Sequence, residues 1–249
     1  MSPQRFEFRP QPASVASIDF DLLFREEGNA VMCASWGSRH IAVPIRLQLG
    51  DSMVFAAEVL DRPLPKPRRD LLGYASGRVL EALLEALLAL SFLDMGYTRN
   101  AAGKAFQAWK ALVGAILALE KDRLEKLLAN REKKWLETKG IPWVPTGSLK
   151  PLSQLLEEKT GYKYFSFYTD KALDLHTYQY QGPDPERLLS KHASRKEAAT
   201  DTLLLLKVLV ELVEEKIKPR LQQENLWLPD HDKALQQLKQ KLTQRKQQG

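Results

Sequence analysis

Cysteines, histidines and glycine-rich motifs are scarce in this sequence, and each shortage excludes a class of site. Cys33 is the single cysteine, so the chain can form neither an intrachain disulfide nor a thiolate cage for zinc, and a reducing compartment is expected. Gly73 and Gly77 lack the following Lys-Ser or Lys-Thr of a phosphate loop. No serine lies in a nucleophile elbow, and no histidine and acid have zinc spacing. The sequence therefore contains no self-sufficient catalytic motif and predicts no cofactor and no metal.

Long hydrophobic runs are also missing. The most apolar run, residues 79–93, is interrupted by Glu81 and Glu85 and is shorter than the roughly 20 residues that a membrane span needs. The opening residues MSPQRFEFRP lack the apolar core of a signal peptide. We therefore expect a cytoplasmic protein that does not enter the membrane.

Positive charge is in excess and is concentrated near the C-terminus. The formal net charge is +6 and the isoelectric point is about 9.3. From residue 216 onward there are eight basic and three acidic residues, so this segment alone carries +5. The excess favours a polyanionic partner such as RNA, with Lys239, Lys241 and Arg245 as candidate contacts. The alternative is a solvated helix whose charge aids solubility.

Residues 17–60 alternate in hydrophobicity and contain several turn signals. Apolar and polar residues alternate over residues 18–24 and again over residues 41–49, the pattern of strands with one buried face. Gly28, Gly37 and Gly50 mark turns between these segments, and Pro44 favours an edge strand because proline cannot donate to a central ladder. The sequence predicts a small β-meander here, in which residues 52–60 form a fourth strand or a short helix.

The strongest pattern covers residues 71–131 and predicts a helical hairpin. Leucines recur at three- and four-residue spacing over residues 80–88, Gly96 indicates a helix end, and Thr98 begins a second helix that continues to about residue 131. A connection of about two residues forces the two helices antiparallel. Small residues that allow close packing line the second helix: Ala101, Ala105, Ala108, Ala111 and Ala115.

The rest of the chain predicts further helices. A loop over residues 130–150 precedes a short helix, a third main helix covers residues 165–180, and a capping box of Ser194 and Glu197 opens a fourth, which Pro219 ends. The fold class is therefore mainly α: a four-helix bundle with a small N-terminal β-meander and a C-terminal helix. We predict four parts: a β-rich appendage (1–60), a proline-rich linker (61–69), the bundle (70–219), and a basic amphipathic helix and tail (220–249).

Arg187 and His192 form the one residue pair that suggests catalysis. They lie in ERLLSKH, just before the fourth main helix. An imidazole could deprotonate a ribose hydroxyl while a guanidinium stabilises charge on the phosphate. An arginine at this spacing before a histidine is common by chance, so the position of the pair carries the hypothesis. If ERLLSKH is a helix, the two side chains point about 140° apart; if it is a turn, they can converge.

Several other residues are candidates for binding. Lys104 and Lys110 lie on different parts of the second helix and flank Trp109, which we expect in the core. Trp135 and Trp143 are loop tryptophans that could contact a partner or cover the core. His176 and Tyr180 could form a polar pocket in the third main helix, although a core histidine bonded to a tyrosine or to the backbone is the simpler interpretation. We assign no role to His40 or His231.

The hairpin resembles a known family in its pattern of small and aromatic residues. FLDMGYTRNAAGKAFQAWKALVGAI and ALDLHTYQYQGPDP are similar to the helical core of the archaeal PaREP family, HEPN-like four-helix bundles found mainly in hyperthermophiles. The resemblance covers about residues 71–218. The residues that carry it are Gly96, Ala101, Ala102, Lys104, Ala105, Ala108, Trp109, Lys110 and Ala111.

This resemblance implies an antiparallel HEPN-like bundle that pairs as a homodimer. Catalytic HEPN members are metal-independent ribonucleases that use an arginine and a histidine four to six residues apart, with both subunits contributing to one cleft. Arg187 and His192 fit that spacing, but Leu188 stands where the family usually has a polar residue. Many HEPN-like proteins are non-catalytic binding modules.

Two functions of different classes follow from these observations. The favoured one is a non-catalytic HEPN-like module that binds a protein or ribonucleoprotein partner. The alternative is a metal-independent HEPN-type endoribonuclease of a toxin or defence system, in which Arg187 binds phosphate and His192 acts as the base.

Overall fold

The structure, a computed structural model, divides the chain into two units, Met1–Val54 and Phe55–Gly249. It describes the backbone of residues 19–25, 29–36 and 39–43 in the first unit, and residues 56 and 58–248 in the second. Side chains are described for residue 56 and for residues 58–245.

The described part of the first unit is a three-stranded antiparallel sheet. Its strands are β1 (Asp19–Arg25), β2 (Asn29–Trp36) and β3 (Arg39–Val43), in that spatial order. Asp19 pairs with Ser35, and Met32 pairs with Val43. Cys33 lies in β2, while Pro44 and the remaining connections lie outside the described residues, so the meander over residues 17–60 as a whole stays a prediction.

The second unit is mainly helical in its described part, with turns and coil between the helices. Its helices, in chain order, are α1 (Leu71–Asp94), α2 (Thr98–Leu119), α3 (Lys121–Glu125), α4 (Asn130–Trp135), α5 (Ile141–Trp143), α6 (Leu149–Thr160), α7 (Phe165–Gln181), α8 (Arg195–Leu212), α9 (Lys218–Gln223) and α10 (Pro229–Gln248). Two π-helical segments, Leu136–Gly140 and Val213–Ile217, follow α4 and α8, and a 3₁₀ turn, Thr146–Ser148, precedes α6. Ala56 and residues 58–60 are also helical, so the described part of residues 52–60 is helix and not strand.

The hairpin of α1 and α2 is confirmed and forms the centre of the second unit. The Asp70 carboxylate accepts a hydrogen bond from the Gly73 N–H at 2.8 Å and so begins α1, while Gly96, at φ +79°, ends it in the left-handed conformation that glycine favours. The helix α2 packs against α1, α7 and α8. The predicted small residues on α2 are all fully buried: Ala101, Ala105, Ala108, Ala111 and Ala115.

Three helix boundaries differ from the sequence prediction. The second helix ends at Leu119 and not near residue 131, because Arg220 binds the Leu119 carbonyl and pairs with Glu120 at 2.7 Å at this point. Residues 130–150, predicted as a loop, form α4, α5 and short π and 3₁₀ turns. Pro219 does not stop the helical path, since the chain continues from α8 through the π-helical segment Val213–Ile217 into α9, whose first turn contains the proline.

The C-terminal helix packs on α1 and α8 and is part of the same compact unit. Its buried side chains complete the core on that side: His231, Ala234, Leu235, Leu238 and Leu242. Ala56 and Val59, assigned by sequence to the β-rich appendage, are also buried in this core. Among the described residues, none of the helices is long and apolar enough to cross a membrane.

Candidate functional site

The turn between α7 and α8 holds Arg187 and His192, and it is not helical. Asp184 organises the turn, because its carboxylate accepts backbone N–H bonds from Leu189 at 2.6 Å and from Ser190 at 3.1 Å. These hydrogen bonds lower the pKa of Asp184. The Asp184 N–H in turn donates to the His192 carbonyl at 2.9 Å, which closes the turn. The arginine and the histidine can therefore approach each other.

His192 is buried at the base of this turn, with only 3% of its surface exposed. Its Nε2 lies 3.1 Å from Oδ2 of Asp201, and its ring meets the Tyr178 ring edge-on at 5.4 Å. Asp201 also accepts a hydrogen bond from Lys171 at 2.8 Å. Nδ1 of His192 has no hydrogen-bond partner among the described residues. The imidazole thus connects the turn to α8 and offers little of its ring to solvent.

Arg187 is exposed but already engaged. Its backbone is left-handed, with φ +56°, which is uncommon for a residue that has a side chain. Its guanidinium donates to Oε1 of Glu197 at 3.1 Å and to the Lys191 carbonyl. The N–H of Ala193 is the largest cause of the lowered pKa of Glu197, and the hydrogen bond from Arg187 adds to it. Binding a phosphate at Arg187 would therefore compete with Glu197.

The two residues line one open pocket of about 520 Å³. Oppositely charged side chains are paired around it: Lys171 with Asp201, Lys191 with Asp174, and Arg187 with Glu197. The structure thus brings the predicted pair together and adds Asp201, which the sequence prediction missed. Asp201 and Glu197 lie four residues apart at the start of the capped helix α8, so helical spacing was the signal that could have found both. Catalytic roles for the pair stay a prediction.

Lys104, Trp109 and Lys110 have separate environments on α2. Lys104 pairs with Glu85 of α1 at 2.9 Å, and burial raises the pKa of Glu85. Trp109 is fully buried and donates from Nε1 to Oγ1 of Thr169 at 2.8 Å, which confirms its place in the core. Burial lowers the pKa of Lys110, and the nearby positive charge of Arg78 lowers it further.

The rings of His176 and Tyr180 are in contact on α7, and the polar pocket that the sequence predicts for them stays a prediction. The His176 ring stacks on Phe106 at 4.1 Å and meets the Tyr180 ring edge-on at 5.2 Å. Its Nδ1 has no hydrogen-bond partner in the described part of the chain. Burial lowers the pKa of His176, and the charge of Lys110 adds to the effect.

The two loop tryptophans differ sharply in exposure. Trp135 is half-buried and lines an apolar pocket between α4 and α6. Trp143 is 71% exposed, although Ile141 and Val144 on either side of it are buried. Val144 has φ +40°, a strained value for a β-branched residue. The burial of its neighbours holds Trp143 toward solvent.

The C-terminal basic residues are ion-paired with acids on neighbouring elements. Lys239 binds Glu214 at 2.6 Å, and Lys241 lies 3.5 Å from an oxygen of Asp94. Arg245 also binds Asp94, with its Nε at 3.0 Å. These pairs hold α10 against α1 and against the π-helical segment after α8.

Comparisons with known proteins agree with the helical core. The model of the archaeal PaREP1/PaREP8 family matches residues 77–203, just over half of the chain. This match is narrower than the resemblance over residues 71–218 and includes α2, α7 and the turn that holds Arg187 and His192. No curated protein and no solved structure matches the chain. The matched residues run from within α1 to within α8, and the chain belongs to the archaeal PaREP1/PaREP8 family.

Proposed function

We propose that this protein is a non-catalytic HEPN-like module that binds a protein or ribonucleoprotein partner. The burial of His192 is the observation that carries the proposal. Its Nε2 is engaged by Asp201, and its Nδ1, which has no partner among the described residues, is buried, so neither ring nitrogen is accessible to a ribose hydroxyl within one chain; only 3% of the residue is exposed. Arg187 is likewise paired with Glu197. The pair acts as a structural clamp between the turn and α8.

The charge distribution supports a protein contact over a bare nucleic acid. Lys104, Lys239 and Arg245, three of the candidate RNA contacts, already have acidic partners on the protein. Each ion pair reduces the counterion release that drives binding to phosphate backbones. Trp143, in contrast, favours contact with a protein. An exposed tryptophan held in place by buried neighbours is typical of the residues that contribute most of the binding energy at protein interfaces.

The proposal also includes a cytoplasmic location. It includes a homodimer as well, which the resemblance to HEPN-like bundles implies. Sedimentation of the full chain tests the homodimer. A concentration-independent monomer at micromolar protein would reject it.

Partner capture with a matched aromatic control tests the binding role. The immobilised full chain, Trp143→Ala and Phe167→Ala are each incubated with native lysate from the source archaeon, with and without ribonuclease treatment. Phe167 is also exposed, at 52%, and serves as the control. We expect Trp143→Ala to lose a defined protein that Phe167→Ala retains. Loss of capture after ribonuclease treatment would indicate a ribonucleoprotein, and identical captures by all three proteins would reject the role of Trp143.

The endoribonuclease remains the second candidate, because Arg187 and His192 share one pocket in a turn and not a helix. Opening of the turn, or a contribution from a second subunit, would bring the imidazole to RNA. Mixed RNA in EDTA is the substrate for wild type, Arg187→Gln and His192→Asn. The second candidate requires cleavage by wild type that both variants lose while retaining their helical circular dichroism. Absence of cleavage by wild type supports the non-catalytic proposal.

A further inference from the structure

An apolar pocket of about 460 Å³ lies between α4 and α6, on residues separate from those of the Arg187 and His192 turn. Its walls are mostly aliphatic and aromatic. The apolar residues that form them are Leu128, Trp135, Leu136, Pro151, Leu152 and Leu155. A few hundred cubic ångströms with mainly apolar walls and a few polar groups is the usual form of a small-molecule site. The other described pockets are lined mainly by polar and charged residues.

The aromatic wall of this pocket is fixed by the backbone beside it. A Cβ added at Gly140 would lie 3.0 Å from Cζ3 of Trp135, so the indole lies directly against the glycine. Gly140 ends the π-helical segment Leu136–Gly140, and such segments occur frequently at functional sites. Trp135 therefore packs one edge of its indole against this backbone and lines the pocket.

The polar residues that line the pocket are Arg131, Glu132 and Ser148, and the arginine is the group that can bind a negatively charged ligand. Arg131 lines the pocket and has no ion pair or hydrogen bond to another side chain in the described residues. Glu132 lines the same pocket, and its carboxylate accepts a hydrogen bond from the Ala129 N–H at 2.9 Å at the start of α4. Ser148 contributes a hydroxyl to the same rim. An arginine and a hydroxyl at the mouth of an apolar pocket are complementary to a carboxylate attached to an apolar body.

We propose that this pocket binds an amphipathic carboxylate, a medium-chain or aromatic acid. The apolar body lies against Trp135 and the leucines, while the carboxylate accepts hydrogen bonds from Arg131 and Ser148. This activity goes beyond the proposed partner binding and does not depend on it.

Calorimetric titration of the full chain with octanoate and with 1-octanol tests the proposal. The two probes share an eight-carbon chain and differ in the charge of the head group. We expect octanoate to bind more tightly than octanol, and Arg131→Gln to weaken octanoate about 3- to 10-fold, the effect of losing one partly exposed charged contact. Binding of octanol should not change. Arg68→Gln, which removes an exposed arginine outside this pocket, is the matched control and should leave both affinities unchanged.

A filling variant tests the location. Leu155 is half-buried in the wall, and Leu155→Trp places a larger side chain in the same space. We expect it to weaken both probes at least about 10-fold while the protein stays folded by circular dichroism, since the added indole occupies space that the apolar chain of either probe would fill. Absence of octanoate binding, equal binding of octanoate and octanol, or an unchanged octanoate affinity in Arg131→Gln would each overturn the proposal. Arg131 is exposed, so its variant remains informative if Leu155→Trp fails to fold.

Discussion

At the scale of single residues, a few buried polar side chains connect helices that are distant in sequence. His231, to which the sequence assigned no role, is fully buried between α10 and α1. Its Nδ1 accepts the Leu228 N–H at 3.1 Å, so its Nε2 carries the proton and donates to the Ser76 carbonyl at 2.9 Å. Both ring nitrogens are satisfied in the neutral form. Burial lowers the pKa of His231 despite these hydrogen bonds.

Protonation of His231 is expected to destabilise the fold. Because its folded pKa lies below the unfolded value of 6.5, the unfolded chain binds more protons as the pH falls. Its contribution is fully present above about pH 6.5 and is lost at up to about 1.4 kcal/mol per pH unit below that. His231→Gln should therefore lower the free energy of unfolding at pH 7 and make that free energy less dependent on pH below pH 6.5. Urea unfolding at several pH values measures both effects. An unchanged slope would contradict this assignment, and the slope that remains is expected from His176, whose pKa is lowered too.

Substitution of Trp109 is expected to lower the free energy of unfolding far more than substitution of Trp143. Trp109 is fully buried and donates a hydrogen bond to Thr169, so Trp109→Phe leaves a small cavity and removes that hydrogen bond, while the Thr169 hydroxyl keeps its bonds to Ser153 and to the Phe165 carbonyl. We expect it to cost about 2 kcal/mol of unfolding free energy. Trp143→Phe, at an exposed position, should change stability by less than about 0.5 kcal/mol. Denaturant unfolding measures both, and equal losses would place Trp143 in the core, contrary to the structure.

At the scale of elements, the sequence predicts which segments are helical better than where they end. The periodic leucines and the caps at Gly96 and Ser194 are local signals, and the structure confirms the helices they define. The end of α2 at Leu119 depends on Arg220, which is a hundred residues away in sequence. Local patterns contain no information about such distant contacts.

In the C-terminal helix α10, neighbouring residues differ in burial, and this difference predicts how much each contributes to stability. Leu238 is fully buried, whereas Lys239 beside it pairs with Glu214 at the surface. We expect Leu238→Ala to cost about 2–4 kcal/mol through loss of buried area and a residual cavity. Lys239→Gln should cost less than about 1 kcal/mol, since exposed ion pairs contribute little. Thermal or urea unfolding measures the loss of unfolding free energy in each variant. A small effect of Leu238→Ala would mean that α10 is detached from the bundle in solution.

Truncation of the chain after Pro219 would not isolate the contribution of the C-terminal basic residues to partner binding. Such a truncation deletes buried core residues together with the basic ones, so lost binding would follow from unfolding. Charge-neutral variants of Lys239, Lys241 and Arg245 leave the core intact. They separate the contribution of charge to partner binding from the stability of the helix.

At the scale of the whole molecule, the boundary between the two units predicts which fragment folds alone. The second unit begins at Phe55, and Ala56 and Val59 are buried in its core. A chain of residues 55–249 should keep its helical circular dichroism and unfold cooperatively. A chain of residues 70–249 should be less stable by about 1–3 kcal/mol, because it loses the burial of two apolar side chains. Equal stability of the two fragments would place the boundary near residue 69, where the sequence predicted it.

The sequence alone determined the helical hairpin, the small-residue side of α2 and membership of the PaREP1/PaREP8 family, because periodicity, caps and motif residues are properties of neighbouring positions. It also named Arg187 and His192. Only the tertiary structure decided that the imidazole is buried against Asp201, that the basic residues of α10 have acidic partners, and that Trp135 lines an apolar pocket with Arg131 at its rim. Burial and charge pairing depend on which helices meet. That information is distributed over the whole chain and is absent from any local segment.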